Sequence, residues 1–186
     1  MKKLIIGSIF AIALLSPQFV QAQGVITYVS SLSETSTGNS SVGNNSWLAT
    51  NFRTGNNASG YMLNSVQLAM TDASGNPSGF TALIYSAISG AGINPGSSLG
   101  ILTGSLNPAT GGIFTYTASN LTLSPSTDYF IVLTAGTTIA NGAYEWSITS
   151  TFAPSLSGGW GGIIFFQIQT MVHLGIQFQA LILYLP

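Results

Sequence analysis

Ser124-Pro125-Ser126-Thr127-Asp128-Tyr129-Phe130-Ile131-Val132-Leu133-Thr134 is the stretch whose pattern decides the fold class. Pro125 ends the segment before it, because its ring fixes φ and leaves no N–H for a ladder. From Thr127 onward, Tyr129, Ile131 and Leu133 take every second position. A period of two places them on one face of a strand. Thr127 to Thr134 is therefore predicted to be a β-strand.

The same grammar runs outward in both directions. Tyr61 to Met70 alternates, with Leu63, Ser65, Gln67 and Ala69 set against Met62, Asn64, Val66, Leu68 and Met70. Ser46 to Phe52 places Trp47, Ala49 and Asn51 on one face. Further strands are predicted at Val25–Val29, Phe80–Ile88, Leu99–Leu102, Ile113–Thr117, Ala143–Thr149 and within Ile163–Tyr184. Clusters of Gly, Pro, Asn and Ser separate them, such as the predicted turn Asp72–Gly79. Ser33 to Asn45 is polar and reads as a loop. The helical period is absent from all of these runs, whereas Thr, Ser, Val, Ile, Tyr and Phe suit pleated, half-buried surfaces. The expectation is an all-β chain, an antiparallel β-sandwich of jelly-roll-like or Ig-like order.

The N-terminus reads differently. Lys2 and Lys3 precede an apolar run from Leu4 to Leu15, which Ser16 and Pro17 break. Val20-Gln21-Ala22 supplies small or branched residues at −3 and −1 of a cleavage point. This is the pattern of a secretory signal peptide over residues 1–22. The run is shorter than the roughly 20 apolar residues that a membrane span needs. A bacterial secreted or cell-surface chain is expected, starting at Gln23. An N-terminal strand and polar loop would fill 23–45, and the β-sandwich 46–162.

Composition narrows the function. The chain has 186 residues, a net charge of −1 and no cysteine. Two of its three cations lie in the signal, so no basic patch remains for nucleic acid. Without cysteine there are no disulfides and no thiolate chemistry. Four carboxylates remain, Glu34, Asp72, Asp128 and Glu145, and nothing local pairs two of them as a glycosidase requires. His173 is the one histidine, and no G-x-S-x-G elbow accompanies it. Asp72 and Asn76 offer a calcium ion a single carboxylate where about 6–8 oxygens are wanted, so a plain turn is expected there. Gly158–Gly162 lacks the lysine and helix of a phosphate cradle. No catalytic residue, metal or cofactor is assigned.

Residues 47–162 resemble the bacterial choice-of-anchor R domain. The resemblance rests on an ordered series of motifs. Leu63-Asn64-Ser65-Val66-Gln67-Leu68 is similar to a family strand, and so is Leu83-Ile84-Tyr85-Ser86. Asn94-Pro95-Gly96-Ser97-Ser98-Leu99 is similar to the turn that follows them. Leu121-Thr122-Leu123, with Thr127-Asp128-Tyr129-Phe130-Ile131-Val132-Leu133, resembles a later pair of strands, and Trp146 stands where the family carries a strand tryptophan. The resemblance implies a secreted or surface β-domain held by an interchangeable C-terminal sorting signal. This chain departs from it after Gly162. Residues 163–186 carry no fixed charge and no Pro-Glu-Pro motif. Gln167, Gln169, His173, Gln177 and Gln179 interrupt the run, so membrane attachment after signal cleavage is not evident. Leu174, Ile176, Phe178, Ala180 and Ile182 alternate with Gly175, Gln177 and Gln179, the pattern of a closing strand. The sudden loss of Ser and Asn is also what a frame shift near Ile163 would produce.

Aromatic side chains are the remaining candidates for ligand contact, because their faces stack on sugar rings. Trp160, set in Ser157-Gly158-Gly159-Trp160-Gly161-Gly162, reads as the most exposed; Trp47 and Tyr85 follow. Tyr129 and Trp146 fall in strands and read as core. The expectation is a non-enzymatic secreted or cell-surface module with a structural or adhesive role in the bacterial envelope or extracellular matrix. Its partners would be extracellular polysaccharide or other surface proteins. A carbohydrate-binding module is the alternative reading, and an outer-membrane β-barrel a weaker one.

Overall fold

A computed structural model describes residues 26–89, 93–149, 155–161 and 165–168. The predicted signal peptide, His173 and the alternation between Leu174 and Ile182 lie outside the described residues. The described strands are β1 (Val29–Ser30), β2 (Gly38–Val42), β3 (Trp47–Arg53), β4 (Tyr61–Gly75), β5 (Thr81–Ser89) and β6 (Ile93–Ile101). They continue with β7 (Gly112–Leu123), β8 (Asp128–Thr134), β9 (Gly142–Ile148), β10 (Ser155–Leu156) and β11 (Phe165–Ile168). One 3-10 turn, Ile139–Asn141, leads into β9.

Pairing follows a nested rule. β2 pairs with β9, β3 with β8, β4 with β7 and β5 with β6, all antiparallel. One long hairpin, rolled up so that successive pairs alternate between two sheets, has this connectivity. The sheets run β2-β9-β4-β7 and β11-β3-β8-β5-β6, with β11 added at the β3 edge. This is the jelly-roll order rather than the Ig-like one. The sheets are open and packed face to face, so the barrel alternative is corrected.

The core lies between them. Leu48, Phe52, Ile84, Ile131 and Leu133 of one sheet are buried with Leu63, Val66, Leu68, Tyr116, Tyr144 and Trp146 of the other. Tyr129, Ile131 and Leu133 share the inner face, as their alternation requires. A register shift between Leu63 and Ser65 breaks the predicted alternation of β4. Leu63 therefore faces inward together with Val66 and Leu68, because a bulge resets which parity faces the core.

Three further expectations are corrected. The predicted loop Ser33–Asn45 contains β2, whose edge position tolerates a polar Gly-Asn-Ser-Ser run with Val42 as its apolar anchor. The predicted turn after Met70 begins as a continuation of β4. There a second shift, between Thr71 and Ser74, frees Asp72 and Ala73 to bond the segment before β7. The Gly111 N–H donates to Asp72 Oδ1 at 2.8 Å, and the Ala73 N–H donates to the Ala109 carbonyl at 2.9 Å. Asn94-Pro95-Gly96 lies inside β6, an edge strand with irregular register, where proline costs no ladder bond.

Candidate functional site

Trp160 is not the exposed aromatic that its glycine neighbours suggest. Gly158 and Gly159 take φ of +59° and +74°, a left-handed pair that folds Ser157–Trp160 into a tight turn. The turn drives the indole into the end of the sandwich, where it is 5% exposed. Its ring stacks on Tyr28 at 4.8 Å between centroids and on Phe52 at 5.9 Å, and Tyr61 meets it edge-on at 4.8 Å. Gly55 lets this turn approach, since a Cβ there would stand 2.1 Å from the Gly158 carbonyl oxygen. Paired bonds between Arg53 and Gly161 backbones fasten it to β3. With both faces covered, the indole offers no platform to a ligand.

Trp47 and Tyr85 fall on the outer face of the five-stranded sheet. Both are half-buried and flank a small cluster of Ala49, Phe130 and Val132. Trp47 Nε1 donates to the Asn44 carbonyl at 3.2 Å. β8 lies between β3 and β5, so the two rings are separated by a strand and are not a contiguous pair.

Sequence reasoning missed the most organised polar surface, the outer face of β2-β9-β4-β7. Asn39 Nδ2 donates to Thr71 Oγ1 at 3.3 Å, and Gln67 Nε2 donates to Thr115 Oγ1 at 3.2 Å. Ser65 stands opposite Thr117, and Ala69 opposite the exposed Ile113. Glu145, 8% exposed, is set among hydroxyls. Ser41 donates to its Oε1 at 2.8 Å and Ser74 at 3.4 Å. Ser147 donates to the Ser36 hydroxyl at 2.8 Å. The signal was available, because these residues are the polar halves of the alternating strands.

The other carboxylates with described contacts are engaged elsewhere. Asp128 pairs with Arg53 across β3 and β8. Asp72 holds the Gly111 N–H rather than joining Asn76 in a turn. Among the described residues no three His, Cys, Asp or Glu side chains gather as metal ligands, and no helix is long and apolar enough to cross a membrane.

Two tyrosines tie the segment before β7 to the core. Tyr116 OH donates to the Ser105 carbonyl at 3.0 Å, and Tyr144 OH donates to Asn107 Oδ1 at 2.9 Å. Phe80 meets Tyr144 edge-on at 5.1 Å and Tyr116 at 5.6 Å. Burial pushes both phenols above their ordinary range, and the neighbouring Tyr144 pushes Tyr116 further. No family model, curated protein or solved structure matches this chain.

Proposed function

We propose that the chain is a non-enzymatic secreted or cell-surface module with a structural or adhesive role in the bacterial envelope or extracellular matrix. The observation that carries this reading is the outer face of the four-stranded sheet. Its hydroxyl and amide groups stand in cross-strand register, and the exposed part carries no cation. Neutral donors and acceptors on a pleated surface match the hydroxyls of a hydrated polysaccharide. The resemblance to choice-of-anchor R domains supports the same setting. Fold alone decides nothing here, because jelly rolls host many activities.

Glycan contact through the three predicted aromatics is the poorer form of this reading. Trp160 is core, and Trp47 and Tyr85 are half-buried on the opposite sheet. A direct test incubates purified residues 23–186 with extracellular polysaccharide from the producing cells. Cosedimentation without release of reducing ends supports an adhesive module. Sustained turnover, or absence of the chain from both surface and medium, contradicts it.

A further inference from the structure

β4 and β7 pair side by side in the four-stranded sheet, so their outward side chains stand in two parallel columns about 5 Å apart. Ser65 faces Thr117 and Gln67 faces Thr115, which makes the centre of this row polar. The ends are apolar. Met62 is 64% exposed at one end, and Ile113, opposite Ala69, is 58% exposed at the other. From Met62 to Ala69 the row runs roughly 20–25 Å, at about 3.3 Å per residue. Neither end is walled off, as the exposure of Met62 and Ile113 shows.

The polar centre is set before any ligand arrives. Gln67 Nε2 donates to Thr115 Oγ1 at 3.2 Å, and Thr117 Oγ1 donates to the Thr103 carbonyl at 3.2 Å. These bonds hold the side chains in place, and they leave Gln67 Oε1 to accept and the Thr115 hydroxyl to donate. A side chain already held loses less freedom on binding. The row has no cation. Of the three fixed cations in the sequence, Lys2 and Lys3 lie outside the described residues, and Arg53 pairs with Asp128 on the other sheet. Glu145, opposite Thr71 of β4, adds a carboxylate to the same face. An anionic sugar would shed its hydration there without gaining a counter-charge, and would be repelled by Glu145.

We propose that the β4–β7 row is a track for the interior of a long, uncharged polysaccharide chain, held at the centre by Ser65, Gln67 and Thr115 and at the ends by Met62 and Ile113. The inference rests on the polysaccharide reading and specifies it in two ways. The glycan is neutral rather than uronate- or sulfate-bearing, and an internal stretch is bound rather than a terminal sugar. Its hydroxyls meet the polar centre, while its C–H faces lie on the thioether and methyl groups of the two ends. With no aromatic ring in the row, each sugar is held weakly and affinity accumulates along the chain.

Polysaccharide from the producing cells is separated by anion exchange into uncharged and acidic fractions, and part of the uncharged fraction is cut to short oligosaccharides. Retardation of the full chain in native gels containing each fraction is the readout. The proposal expects retardation by the uncharged polymer, unchanged from low to high salt, and none by the acidic fraction. The oligosaccharides, at equal mass of sugar, should compete about tenfold less well than the polymer or worse. Met62→Ala with Ile113→Ala, matched to the unmodified chain by circular dichroism, should weaken binding severalfold. Ile101→Ala with Leu106→Ala, exposed apolar positions outside the row, should leave it unchanged. Retardation by the acidic fraction as strong as by the uncharged one overturns the proposal, and so does full competition by the oligosaccharides; both results leave the broader polysaccharide reading standing. Undiminished binding by the Met62→Ala, Ile113→Ala variant also overturns it, by moving the contact off this row. Retardation by neither fraction overturns the proposal together with the reading on which it rests.

Discussion

The indole of Trp160 lies nearly parallel to the phenol ring of Tyr28, 4.8 Å away at an interplanar angle of 13°. The pair joins the two ends of the fold, because β1 follows Tyr28 and β10 precedes Trp160. β1 and β10 themselves share only Val29 with Leu156 and Ser30 with Ser155. The aromatic contact adds to the paired Arg53–Gly161 backbone bonds and the Phe52 stack, which hold the 155–161 turn against β3. Trp160→Ala is expected to cost about 3–5 kcal/mol, the range for removing a large buried aromatic. Trp160→Phe should cost distinctly less, since the indole N–H is buried with no hydrogen-bond acceptor among the described residues. Urea denaturation of the two variants checks both the size and the order.

Arg53 and Asp128 offer a contrasting case. Their side chains are 50% and 19% exposed. An exposed ion pair gives back most of its Coulomb energy to solvent and side-chain entropy, so Arg53→Ala should cost no more than about 1 kcal/mol. The same denaturation series, repeated at high salt, should shrink even that difference.

Glu145 sits at the other extreme of polarity and burial. Glu145→Gln keeps an acceptor for Ser41 and Ser74, whereas Glu145→Ala takes that acceptor from the half-buried Ser41 hydroxyl and the exposed Ser74 hydroxyl. The expected losses are small for Gln and about 1–3 kcal/mol for Ala. Thermal melts of the pair separate the two outcomes.

Alkaline pH tests the tyrosines. The native state holds Tyr116 and Tyr144 protonated, while in the unfolded chain phenols ionise near their ordinary value of 10.0. Above that pH the unfolded chain has lost protons that the native one keeps. Stability from this source is therefore complete below pH 10 and declines as pH rises. Unfolding midpoints between pH 8 and about 11 should show the fall, and Tyr116→Phe should make it shallower.

Much of this architecture is legible in the residues, and what is not has identifiable causes. Tyr129, Ile131 and Leu133 announce a core strand because burial on one face imposes a period of two. Gly38–Val42 hides its strand because an edge needs little apolar side chain. Asp72 and Pro95 read as turn residues, yet bulges let both sit within strands. The choice between jelly-roll and Ig-like order lies in non-local pairing, such as Ser40 with Trp146, which local patterns do not encode. Trp160 misleads for a related reason. Its glycines signal a turn but not the direction in which that turn buries its ring. The polar face around Gln67 and Thr115 is visible in the sequence only as the solvent side of strands, and registering it across four strands requires the topology.

Gln67 and Thr115 also provide the most direct measurement. Replacing both with glutamate, Gln67→Glu with Thr115→Glu, sets two like charges opposite each other on the proposed contact face and leaves the core untouched. The chain and the double variant are compared by cosedimentation with extracellular polysaccharide from the producing cells, at matched folding by circular dichroism. A polysaccharide-binding outer face predicts binding by the unmodified chain and a loss of about tenfold or more in the variant, equivalent to at least ~1.4 kcal/mol. Equal binding by both proteins, or none by either, would contradict it.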